Sequence, residues 1–220
     1  MIFMNKSILI IGLVIISSFY GCDRNSEEEI NPTALKVNEL LEAGIQKRDS
    51  GRQQEALVDF NKAIQINPQV AFAYLYRGVT YGDLGEFENA IADYDKSIEL
   101  APTLAMAYYN RGKAHAALDD TEKAIADYDK AIELDPYDLA AAIAYYKRGV
   151  IYDRRGETEK AFADYNKAIE LDPNYAVAYY NRGLVYRKRD ENEKAIADYT
   201  KAIELDPNDA TTYYLSLIHI

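Results

Sequence analysis

The stretch AMAYYNRG, residues 105–112, recurs along this chain with few changes, as AFAYLYRG at 71–78, AIAYYKRG at 142–149 and AVAYYNRG at 176–183. The copies begin 34 residues apart, except for one step of 37. Prolines close the units with the same period, at positions 68, 102, 136, 173 and 207. A period of this length is typical of a stacked array in which each repeat contacts only its neighbours. Such an array offers binding surface rather than a catalytic pocket.

Each unit carries two apolar stripes at helical spacing, which predicts two amphipathic helices. In the second repeat, which begins at residue 71, the break between these helices falls at residues 83–86. Gly85, like Gly51 and Gly156, lies where the first helix should end, and glycine there is typical of a left-handed C-cap. The prolines end the second helix, because proline cannot extend it.

The order of residues within each unit resembles the tetratricopeptide repeat: an aromatic residue, a glycine four positions later, a second aromatic three positions after that, then alanine, aromatic, alanine and proline. The resemblance covers residues 37–214. It implies an all-α fold, a right-handed superhelical solenoid of stacked antiparallel helix pairs. The repeats are expected at 37–70, 71–104, 105–138, 142–175 and 176–209, with a sixth begun at Ala210.

Small residues recur at one position in each predicted helix. The first helices carry Gly44, Gly78, Gly112, Gly149 and Gly183, and the second helices carry Ala56, Ala90, Ala124, Ala161 and Ala195. Glycine inside a helix costs about 1 kcal/mol relative to alanine, so five glycines in the same phase indicate a packing requirement. We expect each glycine to face the alanine of its partner helix, so that the two backbones approach closely.

Three extra residues, 139–141, precede the fourth repeat. Alanine and leucine are strong helix formers, so the insertion predicts a longer first helix in that repeat. The alternative is a tolerated insertion in a loop.

An arginine recurs in four of the predicted first helices, and an aspartate recurs in all five second helices. The first repeat has the aspartate but carries Ala43 in place of the arginine. This offset predicts pairing with the following repeat: Asp59 with Arg77, Asp93 with Arg111, Asp127 with Arg148, and Asp164 with Arg182. Such pairs would fix the register of stacking, whereas solvated charges would contribute little.

Composition excludes some functional classes. The net charge is −11 with little basic clustering, which argues against an electrostatic nucleic-acid binder. No spacing of histidine, cysteine or glycine typical of a metal site, nucleophile or phosphate loop occurs, so no enzyme, cofactor or metal is predicted. His115 occupies an aromatic position of its repeat and is expected to be packed there.

The N-terminus, residues 1–21, is predicted to be a signal peptide, because its apolar run from 7 to 20 is too short to span a bilayer. Cys22, the only cysteine, resembles the acylated cysteine of a bacterial lipoprotein. The resemblance implies a lipid anchor at Cys22, an acidic tether over 22–31, and a bacterial envelope protein facing the periplasm or the exterior. The alternatives are an ordinary secretory signal or an uncleaved anchor. Asn31 and Pro32 then predict a helix N-cap and first helical position.

The family resemblance further implies that the first helices line a concave groove for partner proteins. The residues expected to face it, here called the groove face, are Leu41, Ile45, Arg48, Leu75, Val79, Tyr109, Lys113, Tyr146, Val150, Arg154, Tyr180, Leu184, Arg187 and Lys188. Tyrosine suits a contact surface because it combines a large area with a hydroxyl group. This face predicts binding of an extended or helical peptide with apolar anchors and acidic side chains. The alternative is that the tyrosines pack only against neighbouring repeats.

The last residues, 215–220, break the sixth repeat, and their codons resemble adapter DNA of sequencing libraries. We therefore expect the natural sequence to depart from this one after Tyr214. The sequence as a whole predicts a membrane-anchored interaction scaffold or adaptor. The alternatives are a substrate-recognition arm of a larger enzyme and a protein that associates with itself.

Overall fold

The computed structural model describes residues 31–207. The predicted signal peptide, Cys22, most of the tether, the start of the sixth repeat and residues 215–220 lie outside this range. Within it the fold is all-α, with ten helices and no strand, arranged as helix pairs. The predicted all-α fold of helix pairs is therefore confirmed.

The helices alternate between first and second members of a repeat. Their bounds are α1 Pro32–Asp49, α2 Gln53–Ile66, α3 Ala71–Asp83, α4 Phe87–Leu100, α5 Ala105–Ala117, α6 Thr121–Leu134, α7 Leu139–Arg154, α8 Thr158–Leu171, α9 Ala176–Lys188 and α10 Asn192–Leu205. None of these helices, between residues 31 and 207, is both long enough and apolar enough to cross a membrane.

The described residues divide into two compact units, which meet between Arg77 and Gly78 inside α3. In the first unit α1 packs against α2. In the second unit each helix from α4 to α9 packs against the next one along the chain.

The predicted helix ends are confirmed. The backbone N–H of Thr33 donates to the side chain of Asn31 at 2.9 Å, and Pro32 opens α1. Three first helices end in a glycine with positive φ: Gly51 (77°), Gly85 (78°) and Gly156 (76°). In the other two repeats aspartate takes this left-handed position, which it tolerates better than most residues.

A contact between a glycine and an aromatic ring sets the spacing of each helix pair. A Cβ atom on the glycine would lie far too close to a ring carbon of the second helix: 2.5 Å for Gly44 and Phe60, 2.7 Å for Gly78 and Tyr94, 3.0 Å for Gly112 and Tyr128, 2.9 Å for Gly149 and Tyr165, and 2.7 Å for Gly183 and Tyr199. These rings are at most 3% exposed, so they cannot move aside into solvent.

The expectation that each glycine faces an alanine is confirmed in two repeats, but it missed the ring. The backbone oxygens of Ala90 and Ala124 lie 3.2 Å from the hypothetical Cβ atoms of Gly78 and Gly112. The ring lies four residues after the alanine, on the same side of the second helix, and projects further from its axis. The glycine thus accommodates the ring first and the alanine backbone second.

The prediction that each aspartate pairs with the next repeat is wrong. Arg111 donates to the two carboxylate oxygens of Asp127, in its own repeat, at 2.9 and 2.6 Å. Arg148 binds Asp164 in the same way at 2.8 and 2.6 Å, and Arg182 binds Asp198 at 2.8 and 2.7 Å. The physical reason is position: the arginine directly precedes the glycine and the aspartate directly precedes the ring, so the glycine–ring contact brings the two side chains together.

The third donor of each arginine does reach the preceding repeat, at a residue the sequence analysis missed. Arg111 Nη1 donates to Asp95 at 2.6 Å, Arg182 Nη1 donates to Asn166 at 2.8 Å, and Arg148 Nη1 contacts Asp129. Each arginine therefore links the two helices of its own repeat and also binds the second helix of the preceding repeat.

The first unit has its own version of this contact. Lys47 on α1 contacts the carboxylate of Asp59 at 2.5 Å, replacing the arginine that Ala43 cannot supply. Arg77 donates to Asn61 on α2 at 2.6 Å.

Two smaller predictions are confirmed. The inserted residues lengthen the first helix of the fourth repeat, because α7 has 16 residues whereas α3, α5 and α9 have 13. His115 is buried, with Nε2 at 3.9 Å from a carboxylate oxygen of Asp127.

The glycine–ring contact predicts opposite effects of the same substitution one turn apart in α3. Gly78→Ala should lower the free energy of unfolding by about 1–2 kcal/mol, because the overpacking cost exceeds the gain in helix propensity. Gly82→Ala should raise it by up to about 1 kcal/mol, because its Cβ would meet nothing nearer than the Tyr94 hydroxyl at 3.7 Å. Urea denaturation followed by circular dichroism measures both; equal effects would contradict the contact.

The arginine contacts predict a large loss on truncation. Arg148→Ala should lower the free energy of unfolding by about 3–5 kcal/mol, because Asp164, which is 4% exposed, would be left as a buried charge without its partner. Lys167→Ala removes an exposed ion pair with Glu170 and should change it by no more than about 0.5 kcal/mol. Adding Asp164→Ala to Arg148→Ala should recover part of the loss. An Arg148→Ala variant as stable as Lys167→Ala would refute this role.

Candidate functional site

Two of the predicted groove residues are core residues instead. Leu41 is 4% exposed and Leu75 is fully buried, so neither side chain is available to a partner. Ile45 is partly buried and packs against the cluster that contains Phe60. The physical reason is side-chain length: a leucine at this position ends inside the helix pair, whereas the tyrosine of later repeats reaches its rim.

The tyrosines at the same position form a series of half-buried rings in the second unit. Each ring leans against the core tyrosine of its own repeat, with centroid distances of 5.9 Å for Tyr109 and Tyr128, 6.1 Å for Tyr146 and Tyr165, and 5.7 Å for Tyr180 and Tyr199. One side of each ring is therefore held by the core, and part of the ring remains at the surface.

Tyr146 is the best-supported of these rings. Tyr175 packs edge-on against it with the centroids 5.1 Å apart, and the amide of Asn181 donates to its hydroxyl at 3.3 Å. Burial raises the pKa of Tyr146, so its hydroxyl stays protonated and able to donate at neutral pH. Sequence analysis missed Tyr175, although the other complete repeats have no aromatic residue at that position.

Three cations lie beside these rings. The amine of Lys113 is 5.7 Å from the centre of the Tyr109 ring, and the amine of Lys147 is 5.6 Å from that of Tyr146. Burial lowers the pKa of Lys147, and the positive charges of Lys113 and Arg154 lower it further. Lys147 was not predicted, but the sequence carried a signal: the fourth copy reads YYKRG where the third and fifth read YYNRG.

The ion pairs of the predicted groove cations differ. Lys188 is bound to Asp153 at 2.7 Å, and Arg48 to Asp49 at 2.8 Å. Within residues 31–207, Lys113, Lys147 and Arg154 form no ion pair with a carboxylate. The positive charge on this part of the surface is therefore not neutralised locally.

The remaining predicted groove residues lie at or near this surface. Val150 is partly buried and packs against the cluster that contains Tyr165. Leu184 and Arg187 are half-buried on α9. Burial raises the pKa of Tyr199, and the positive charge of Arg187 offsets part of that increase.

Two cavities open on either side of α5. One, of about 300 Å³, is lined by α5, α6 and the start of α7, including Met106, Tyr109 and Ala140. The other, of about 190 Å³, is lined by α3, α4 and α5, including Val79 and Lys113.

Over the described range 31–207, no group of three or more histidine, cysteine, aspartate or glutamate side chains is placed to hold a metal ion.

Comparison with known families gives matches over most of residues 44–209. A family model described as "Tetratricopeptide repeat" matches 105–138 and 176–209, and one described as "TPR repeat" matches 44–85, 81–119 and 154–189. The chain belongs to the tetratricopeptide repeat family. The two matches of the first model have the same bounds as the third and fifth repeats that the sequence predicts. No curated protein sequence matches this tetratricopeptide protein significantly.

Solved structures similar to this tetratricopeptide protein include MamA, at 33% identity and a TM-score of 0.67, covering 76% of this chain and 96% of MamA. YrrB, described as a TPR protein with an unusual peptide-binding site, has 22% identity and a TM-score of 0.64, with 82% and 91% covered. PilF of Pseudomonas aeruginosa has 18% identity and a TM-score of 0.74, with 85% and 92% covered. The last two identities are low enough that they show the fold alone.

Proposed function

We propose that this protein is an interaction scaffold or adaptor that binds peptide segments of partner proteins on its groove face. The observation that carries the proposal is the row of half-buried tyrosines with cations beside them, Tyr109 with Lys113 and Tyr146 with Lys147. Tetratricopeptide repeat proteins bind other proteins or peptides.

The chemistry of this face suits peptide binding in particular. A tyrosine ring that is fixed by the core loses little conformational entropy on contact, and its hydroxyl can bond a peptide backbone. The neighbouring cations can attract acidic side chains and speed their association. Nothing in this arrangement requires catalysis, so the proposed role is binding alone.

A peptide library tests the proposal directly. Selection of displayed random 12-residue peptides on the full chain should yield sequences that bind. The double variant Arg154→Glu with Arg187→Glu should weaken their binding at least tenfold, because it reverses charge on the groove face. Lys130→Glu with Lys167→Glu makes the same charge change on the second helices α6 and α8 and should leave binding within about twofold. Absence of any selected peptide, or equal loss in both variants, would overturn the proposal.

We further propose that Cys22 anchors the protein to a bacterial envelope membrane. The support lies in the sequence alone: a basic start, a short apolar run and a cysteine preceded by glycine at its end. Two acyl chains on one residue give stable anchoring, and the acidic segment 23–31 would then separate the repeats from the membrane surface.

Replacement of the anchor residue tests this proposal. The wild-type protein expressed in bacteria should incorporate labelled palmitate and stay with the membrane after an alkaline carbonate wash, whereas Cys22→Ser should lose the label and appear in the soluble fraction. Ser26→Ala, four residues further on, is the matched control and should behave as wild type. A Cys22→Ser variant that stays in the membrane fraction would show that another segment holds it there.

Two alternative functions can be distinguished by experiment from that of a scaffold. A catalytic domain encoded beyond the codon for Tyr214 would make the repeats a substrate-recognition arm of an enzyme. Self-association would appear as a particle size that increases with protein concentration.

A further inference from the structure

The 300 Å³ cavity beside α5 has a mostly apolar wall. Met106 and Tyr109 on α5, and Ala140 and Ala141 on α7, form much of its wall. The α7 residues belong to the three-residue insertion, so the irregular step in the repeat supplies part of the cavity. Met106 is 48% exposed, which leaves an apolar surface at the mouth.

Both helices carry a lysine seven residues after a cavity-lining residue. On α5 the pair is Met106 and Lys113, and on α7 it is Ala140 and Lys147. Seven residues are about two helical turns, so each lysine lies about 10 Å further along its helix. The tyrosine rings between them, Tyr109 and Tyr146, support the lysine side chains.

The charge distribution selects the kind of ligand. The chain has a net charge of −11, and most exposed cations of residues 31–207 lie within 4 Å of a carboxylate, as Lys167 does with Glu170. Lys113, Lys147 and Arg154 have no such partner in that range. Like charges repel one another, so an acidic group bound among them would relieve this repulsion.

We propose that this surface binds an extended peptide segment with an apolar side chain in the cavity and an aspartate or glutamate three residues away, between Lys113 and Lys147. An extended chain in the polyproline II conformation has three residues per turn and rises about 3.1 Å per residue, so side chains three residues apart lie on the same side of the peptide, about 9 Å from each other. The inference rests on the proposed function and specifies the ligand of that groove face.

The opposite end of the cavity makes the order of the two ligand residues matter. Asp135 and Asp138 line that end, and Asp138 is held there because its carboxylate accepts the backbone N–H of Leu139 at 2.6 Å. These carboxylates would repel an acidic residue on the far side of the apolar anchor. The selected peptides should therefore carry their acid on one side of the anchor only.

The peptides selected from the displayed 12-residue library are the probe. Sequencing should show enrichment of an apolar residue and an acidic residue three positions apart, in one order. One enriched peptide, labelled with fluorescein, then reports affinity for variants of the full chain by fluorescence anisotropy.

Cavity and charge are tested separately, each with a matched control. Ala140→Phe fills the cavity from an exposed position and should weaken binding at least tenfold, whereas Ala126→Phe, on the exposed side of α6, should change it less than twofold. Lys113→Glu with Lys147→Glu should also weaken binding at least tenfold, whereas Lys130→Glu with Lys167→Glu, the same charge change on α6 and α8, should not. The first of these double variants should regain affinity for a peptide whose acid is replaced by lysine. Circular dichroism checks that each variant is folded.

The outcomes separate this inference from the proposed function. Peptides that lack the spaced apolar and acidic pair, or that bind Ala140→Phe and the lysine double variant as tightly as wild type, would overturn the inference and leave the proposed function standing. A library that yields no binding peptide would overturn both.

Discussion

The glycine–ring contact is the constraint from which the rest of this structure follows. Because a glycine on the first helix leaves room for a buried ring on the second, the two helices of a repeat approach within the reach of short side chains. The residues directly before the glycine and the ring are then brought together, and they are an arginine and an aspartate in three repeats of the second unit. The remaining arginine donor extends to the preceding repeat, so one local contact also influences how repeats stack.

The groove face depends on the same contact. In the third, fourth and fifth repeats the core ring beside the glycine supports a half-buried tyrosine, which is held on one side and accessible on the other. Surface cations then differ by their partners: Lys188 is bound to Asp153, whereas Lys113 and Lys147 rest on tyrosine rings. The inserted residues at the start of α7 line part of a cavity on the same surface. The proposed binding surface therefore combines tyrosines that the repeats share with residues that depart from the repeat.

The sequence predicted those parts of the structure that periodicity and local chemistry determine. Helix pairs, the left-handed glycines, the Asn31 cap and the longer α7 all follow from residue types at fixed spacing. It did not predict the partner of Arg148, because the spacing of residues along the chain does not show which faces of two helices are in contact. It also failed to separate buried Leu75 from half-buried Tyr109, because one position of a repeat is core or rim depending on side-chain length. Lys147 was overlooked because a single substitution in a repeat becomes meaningful only beside its neighbours in space.

The most direct test of the account compares the paired tyrosines of the repeats. In each Tyr-Tyr pair of the second unit the first ring lies beside an arginine, as Tyr145 does with Arg148 at 5.2 Å, and the second belongs to the groove face. NMR of the full chain labelled on its tyrosine rings, with and without a library-selected peptide, distinguishes the two sets. We predict that resonances of Tyr109 and Tyr146 shift on peptide binding while those of Tyr108 and Tyr145 do not. Shifts confined to Tyr108 and Tyr145 would contradict the assignment of the binding surface.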